Sequence, residues 1–286
     1  MNAIVTAPIE PIVRTQLNFK LDEVPRFWFG GDPFRTRMFD ALSLTFPDGE
    51  RYFIQSVRLF RDQITDPSLA ARVSDFIKQE AQHGIAHDKM NQVMREQGMP
   101  VDQFIQRLNK IFKFELSKRS PQYNIAMTAA AEHLTALMAE TFYSHKATLA
   151  EAHPYVRALF AWHAIEEIEH RAVAFDVYQD VYGDDKIRRL IMRIVTTGFA
   201  SLTFYSASRL FLQDRKKSIP KLGGNLFGLY LLVKMFVQLL PEYLSYYKTN
   251  FHPSDIDYSQ LLKYWKTRLA EDYQLEGFQQ EWHAVV

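Results

Sequence analysis

Apolar positions along the chain recur at helical spacing, and prolines and glycines punctuate them. From Asp66-Pro67, a capping residue followed by proline in the first turn, the pattern runs to Gly98 and Pro100, where a helix must stop. Ser120-Pro121 opens a second long helix, expected to end near His153. Pro154 opens a third, expected to continue to Gly183. A shorter helix is expected to start around Phe46-Pro47-Asp48 and to carry Glu50. A helix near Val101 to Lys118 falls between the first and second long ones as part of a crossover. No alternating strand pattern of convincing length appears, and no repeat with a period of about 20 to 50 residues. The pattern predicts an all-α fold.

Two later stretches, Leu190 to Leu212 and Leu226 to Leu240, are rich in Leu, Ile, Val, Phe and Tyr but are interrupted at Arg193, Arg209 and Lys234. Neither reaches a clean apolar span of about 20 residues, so membrane insertion is not the expectation. Such helices fit either a cover over the bundle and a homodimer interface, or an apolar tunnel and a peripheral membrane contact for a lipid-like substrate. With no linker-like segment, the 286 residues are expected to form one elaborated domain, with a bundle core at about 46–183 and an extension at about 184–286.

Lys+Arg 34 against Asp+Glu 33, well interspersed, speaks against nucleic acid as a partner. The absence of cysteine removes disulfides, zinc ribbons, iron-sulfur clusters and thiol nucleophiles, leaving metal chemistry to oxygen and nitrogen donors. The opening MNAIVTAPIEPIVRTQ lacks the basic and apolar regions of a signal peptide, which places the protein in the cytoplasm as an expectation.

Two Glu-x-x-His pairs carry the chemistry: Glu80 with His83 in QEAQHGIAH, and Glu167 with His170 in WHAIEEIEH. Residues three apart share a helix face, so each pair presents a carboxylate and an imidazole to one point. Two such pairs with one lone Glu from each of two further helices make the ligand set of a di-iron or di-manganese carboxylate site in a four-helix bundle. Glu50 and Glu132 supply the lone carboxylates, with Glu140, two turns beyond Glu132, as an alternative. His163 lies four residues before Glu167 and seven before His170, so HxxxExxH forms one stripe toward the same metal. The candidate ligands are therefore Glu50, Glu80, His83, Glu132, His163, Glu167 and His170. A single Glu-x-x-His match is ordinarily a solvated or locally bonded pair, and it is the matched placement on several helices that points to metal. Four buried carboxylates without a cation would be costly or would protonate. Glu166 and Glu169 flank Glu167 but point away from it, and read as outer partners or solvated residues. His87, one turn after His83, reads as an outer partner or pocket histidine rather than a ligand. His133, His145 and His153 read as surface, cap or core residues.

From FPDGERYF through QEAQHGIAHDKMN and AEHLTALMAE to WHAIEEIEHRAVAFDVY, the chain resembles the bacterial family of predicted metal-dependent hydrolases, of the ferritin-like superfamily. The HxxxExxH spacing also resembles the di-iron aryl-amine N-oxygenases, a likeness that implies ligand roles for the seven residues named above. The loops and the C-terminal part differ from those enzymes, so their substrate is not implied. The expected protein is a ferritin-like bundle with added apolar helices, acting as a non-haem di-iron monooxygenase or hydroxylase on an apolar molecule. Its cofactors would be two iron ions, with manganese as the alternative metal, and O2 as co-substrate. No nucleotide-binding fingerprint appears, so electrons would come from an external reductase or ferredoxin. The alternatives are a dinuclear metal-dependent hydrolase, which would activate a bridging water, and a ferroxidase or iron-binding protein.

Overall fold

A computed structural model describes residues 9–15, 17–144, 149–215, 233, 237–273, 275 and 278. The all-α expectation holds: among the described residues the only β-type pairing is a single antiparallel bridge between Phe29 and Ala152. The helices are α1 (Pro33–Arg58), α2 (Pro67–Glu96), α3 (Val101–Lys118), α4 (Pro121–Ser144), α5 (Pro154–His170), α6 (Val173–Val181), α7 (Asp185–Arg215), α8 (237–245) and α9 (Ser259–Glu271).

The punctuation acts mostly as the sequence suggests. Asp66 caps α2, its carboxylate accepting from Ser68 N at 2.9 Å, and Pro67 occupies the first turn, where a missing N–H costs nothing. Gly98 ends the same helix at φ 80°, a left-handed conformation that a side chain would resist.

Three boundaries differ from expectation. Instead of starting near Phe46, α1 begins at Pro33, where the Asp32 carboxylate accepts from Phe34 N at 2.8 Å and Arg35 N at 3.2 Å, and it runs through Pro47. Burial on both sides of Pro47 holds the helix together although proline removes one i to i−4 bond. The helix opened by Pro154 does not continue to Gly183: it stops at His170, and Arg171 and Ala172 form a turn before α6. There the Arg171 guanidinium donates to the carbonyls of Ile168, Pro253 and Ile256, capping the end of α5 and tying it to the C-terminal segment. The α4 helix ends at Ser144, short of His153; His145 lies outside the described residues, as does most of the Leu226 to Leu240 stretch.

Helices α1, α2, α4 and α5 surround the centre of the molecule. The α7 helix lies along α1 and α4, α3 packs on α1 and more lightly on α4, and α9 covers α5. By length and composition the Asp185–Asp214 stretch of α7 could cross a membrane. Its inner side nevertheless packs in the protein through Ile191, Met192, Ala207 and Leu210.

Candidate metal centre

Each of the four central helices contributes acidic or imidazole groups to one buried region. Glu50 comes from α1, Glu80, His83 and His87 from α2, Glu132 from α4, and His163, Glu166, Glu167, Glu169 and His170 from α5; all are buried. Their donor atoms fall into two groups. Glu50, His83 and His163 form one, Glu80, Glu132, Glu167 and His170 the other, with the atoms of each group within 4.8 Å of one another. Glu167 stands between them, with Oε1 2.9 Å from His163 Nε2, 3.6 Å from His83 Nδ1 and 3.5 Å from His170 Nε2. All seven residues named as candidate ligands from the sequence are thus brought together.

Buried polar atoms ordinarily find hydrogen-bond partners, and here many do not. Both carboxylate oxygens of Glu50, Glu80 and Glu132, Oε2 of Glu167, Nδ1 of His83 and Nε2 of His170 are buried without one. His170 Nε2 lies 3.0 Å from Glu80 and 3.1 Å from Glu132, yet without hydrogen-bond geometry to either, so these atoms converge on a shared space rather than on each other. Four carboxylates and three imidazoles are a donor set that suits divalent iron or manganese, and four negative charges would balance two such cations. Gly84 makes room for it: a Cβ there would come 3.1 Å from Glu50 Oε2.

The outer nitrogens of the rings are engaged. His83 Nε2 lies 3.0 Å from Glu166 Oε2; a cation at Nδ1 would require the ring proton on Nε2, where Glu166 accepts it. His170 Nδ1 donates to Gln79 Oε1 at 2.9 Å, and His163 Nδ1 is 2.7 Å from His87 Nε2, whose own Nδ1 is 2.9 Å from Ser43 Oγ. Arg14, from the segment before α1, completes a second layer. Its guanidinium donates to Glu166 at 2.9 Å and to both oxygens of Glu169 at 2.9 and 2.8 Å, and Glu169 also accepts from Gln79 at 3.2 Å and pairs with Lys266 of α9 at 2.6 Å.

The electrostatics follow from burial and crowding. Burial, then the neighbouring carboxylates, pushes Glu50 and Glu132 well above the usual carboxylate range, and burial raises Glu80. Burial also acts to raise Glu167, but the hydrogen bond from His163 and the nearby charges of His170 and His163 hold it well below. Burial and the adjacent imidazoles push His83 well down; His170 is held well up, against burial, by Glu132 and Glu167. Glu166 is pushed up to about 8 by burial, in spite of Arg14.

Of the residues named beside the ligands, His87 and Glu166 take the outer positions expected of them, and Glu169 is a buried outer partner rather than a solvated one. Glu140 does not replace Glu132. Eight residues further along α4, it is carried about 12 Å up the helix, where it accepts a hydrogen bond from Tyr258 at 2.9 Å. His133 is a core residue, stacked 5.0 Å from Tyr246. Arg14, Gln79, Ser43 and Gly84 were not apparent from sequence, since no short-range spacing links an arginine near the N-terminus to α5.

A cavity of about 250 Å³ adjoins the donor groups. Glu50, His163 and Glu167 line its inner end; Phe46, Phe53, Phe112, Met127, Leu134 and Met138 line its walls, and Ile194, Val195, Phe199 and Leu202 of α7 close it on one side. Its threonine hydroxyls are already engaged, Thr45 donating to Leu42 O and Thr135 to Glu132 O.

A helical bundle enclosing two buried carboxylate-imidazole groups with unsatisfied donor atoms belongs to the metal-dependent class of proteins. More narrowly, a family model described as "predicted metal-dependent hydrolase" matches residues 13–257, and the chain belongs to that family. The description favours the hydrolytic alternative over the oxygenase expectation. Comparison with curated proteins and with solved structures gave no match.

Proposed function

We propose that the protein is a dinuclear metal enzyme of ferritin-like type that uses dioxygen to oxidise an apolar organic molecule. The observation that carries this reading is the pairing of a seven-residue carboxylate-imidazole centre with a cavity that offers almost nothing to a polar substrate. Metal ions could meet the developing oxyanion of an ester or phosphate, but orienting such a polar substrate draws on free side-chain donors in the cavity. Here Thr45 and Thr135 donate into helix carbonyls, and Glu115, among the lining residues, is paired with Arg119 at 3.2 Å. Oxidation of an apolar group needs only shape and exclusion of water, which Phe46, Met127, Leu134, Met138 and Phe199 supply.

Glu50, His83 and His163 would hold one ion and Glu80, Glu132 and His170 the other, with Glu167 shared. Two iron ions bound there would supply redox chemistry with dioxygen, an external reductase or ferredoxin returning the electrons. The chain's own part is to fix the imidazoles through Glu166, Gln79 and His87, to keep water out, and to present an apolar group beside Glu50 and Glu167.

Hydrolysis is the second reading, favoured by the description of the family. There metal ions held by the same seven residues would supply activation of water for attack on an ester or phosphate. Iron-loaded protein with a reductant, offered apolar amines, alkanes and fatty acids, should consume dioxygen in a substrate-dependent way. Cleavage of esters at a comparable rate without reductant or dioxygen would replace oxidation by hydrolysis, and dioxygen consumption indifferent to any organic molecule would leave a ferroxidase.

A further inference from the structure

The outer face of α3 is unusual for a helix that helps to wall a cavity. Arg107, the adjacent Lys110 and Ile111, Phe114 and Lys118 recur once per helical turn, so they occupy a single stripe within an arc of about 100 degrees. All are exposed, Ile111 at 41% and Phe114 at 51%. The two carboxylates of α3, Asp102 and Glu115, lie off the stripe and pair with Arg95 and Arg119. What remains is a row of cations with two bulky apolar side chains set among them.

The stripe is continuous with the cavity. Ile111 belongs to both, and across from it on α7 Ile194 also lines the cavity and is 43% exposed. Further along α7, Phe204 stands 71% exposed, and the neighbouring Tyr205 ring lies 4.6 Å beneath the Arg107 guanidinium, which joins the two helices at one side.

Exposed aromatic and aliphatic groups flanked by lysine and arginine, without acids, are what a helix lying in a lipid interface presents. The apolar tips enter the acyl boundary while the long cationic side chains reach the phosphates. A second copy of the chain fits this face poorly, because a twofold contact would set the cationic stripe against itself. We propose that the α3–α7 rim docks on an anionic lipid surface, so that an apolar substrate passes from the bilayer past Ile111 and Ile194 into the cavity without crossing water. The delivery step rests on the reading of the cavity as the substrate site; the docking does not.

The test uses the full-length, metal-loaded protein in sedimentation with vesicles of phosphatidylcholine alone or mixed with phosphatidylglycerol, at low and high salt. Lys110→Glu and Phe114→Ser alter the stripe without touching the cavity or the metal donors, and dispersed lauric acid, followed by native mass spectrometry, reports on the cavity independently. Wild-type protein should bind the mixed vesicles in a salt-sensitive manner. Each variant should bind them about tenfold more weakly with unchanged metal content and lauric acid uptake. Equal binding to both vesicle types, or variants that bind as wild type does, would overturn the docking. So would a wild type that ignores vesicles but forms a dimer that Phe114→Ser dissociates. Vesicle binding without any lauric acid uptake overturns the delivery step and the substrate reading together, whereas uptake without vesicle binding overturns the docking alone.

Discussion

Arg14 ties the outer partners of two imidazoles to one guanidinium: Glu166 leads to His83, and Glu169 leads through Gln79 to His170. Arg14→Gln would leave Glu166 without its cation and Glu169 with Lys266 alone, and outer-partner changes of this kind weaken metal binding by about 10- to 100-fold. Metal titration of the variant should therefore show weaker retention at both positions, and loss at one position only would mean that the network does not join them. Among the ligands themselves, His170→Ala or Glu80→Ala should lose metal outright. By contrast, His163→Ala should keep the fold and much of the metal while changing the optical spectrum of the iron-loaded protein; an unchanged spectrum would reduce the set to six. His133 gives a separate, pH-dependent prediction. Burial pushes this ring down to about 3, so it stays neutral in the folded protein while the unfolded chain takes up a proton near the ordinary imidazole value. The stability it permits is complete above about pH 6.5 and is lost as pH falls from there toward 3, by up to about 1.4 kcal/mol per pH unit. Denaturant midpoints of His133→Phe should decline less steeply over that range than those of wild type. At this scale Glu80, His83, His163, Glu167 and His170 were apparent because helical spacing places them on shared faces, whereas Glu50 and Glu132 followed from the four-helix ligand pattern, which left Glu140 open beside Glu132. Arg14 and Gln79 were not apparent, because what selects them is tertiary proximity over 155 and 91 residues of chain.

Among the elements, α7 closes one side of the cavity. Phe199 and Leu202 line it, as the expectation of an apolar tunnel requires. Phe199→Asp or Leu202→Asp should abolish uptake of long apolar molecules and turnover while leaving the metal content unchanged, since every candidate ligand lies before residue 171. If α7 served only to cover the bundle, the same changes would instead lower stability by a few kcal/mol and reduce all properties together; ligand binding and thermal melting measured side by side separate the two outcomes. Helix boundaries were readable where a cap, a proline or a glycine marked them, as at Asp66-Pro67 and Gly98. They were misread where tertiary packing overrode the local signal. Pro47 suggested a beginning but sits inside α1, and the turn at Arg171, invisible in an uninterrupted apolar pattern, depends on carbonyls more than 80 residues away.

For the molecule as a whole, the buried carboxylates make folding and metal binding one equilibrium. Ions that bind the folded chain and not the unfolded one stabilise it by mass action, by about 2.7 kcal/mol per ion at a hundredfold excess over Kd. Chelation should lower the melting temperature by several degrees, and re-addition of iron or manganese should restore it; a melting temperature indifferent to both would count against the centre. The helical class of the molecule could be read from its punctuation, and an apolar tunnel was one of two readings of the α7 stretch; the shares of α1, α3 and α4 in the cavity could not be read, because they arise from how the helices are set against one another. The Arg14 contacts also bear on how bound ions would exchange. The carboxylate partners of Arg14 lie 152 and 155 residues further along the sequence, and Lys266, which pairs with Glu169, and the Phe278 ring, 4.4 Å from the Arg14 guanidinium, lie further still. Segments from before α1 and from α9 onward therefore meet over α5, and ions from the surrounding solution would reach that side of the ligand-bearing helices only while this contact is open. Exchange of ions bound there should therefore be limited by opening of the segment that carries Arg14, so that a chelator strips them slowly even when it binds them tightly.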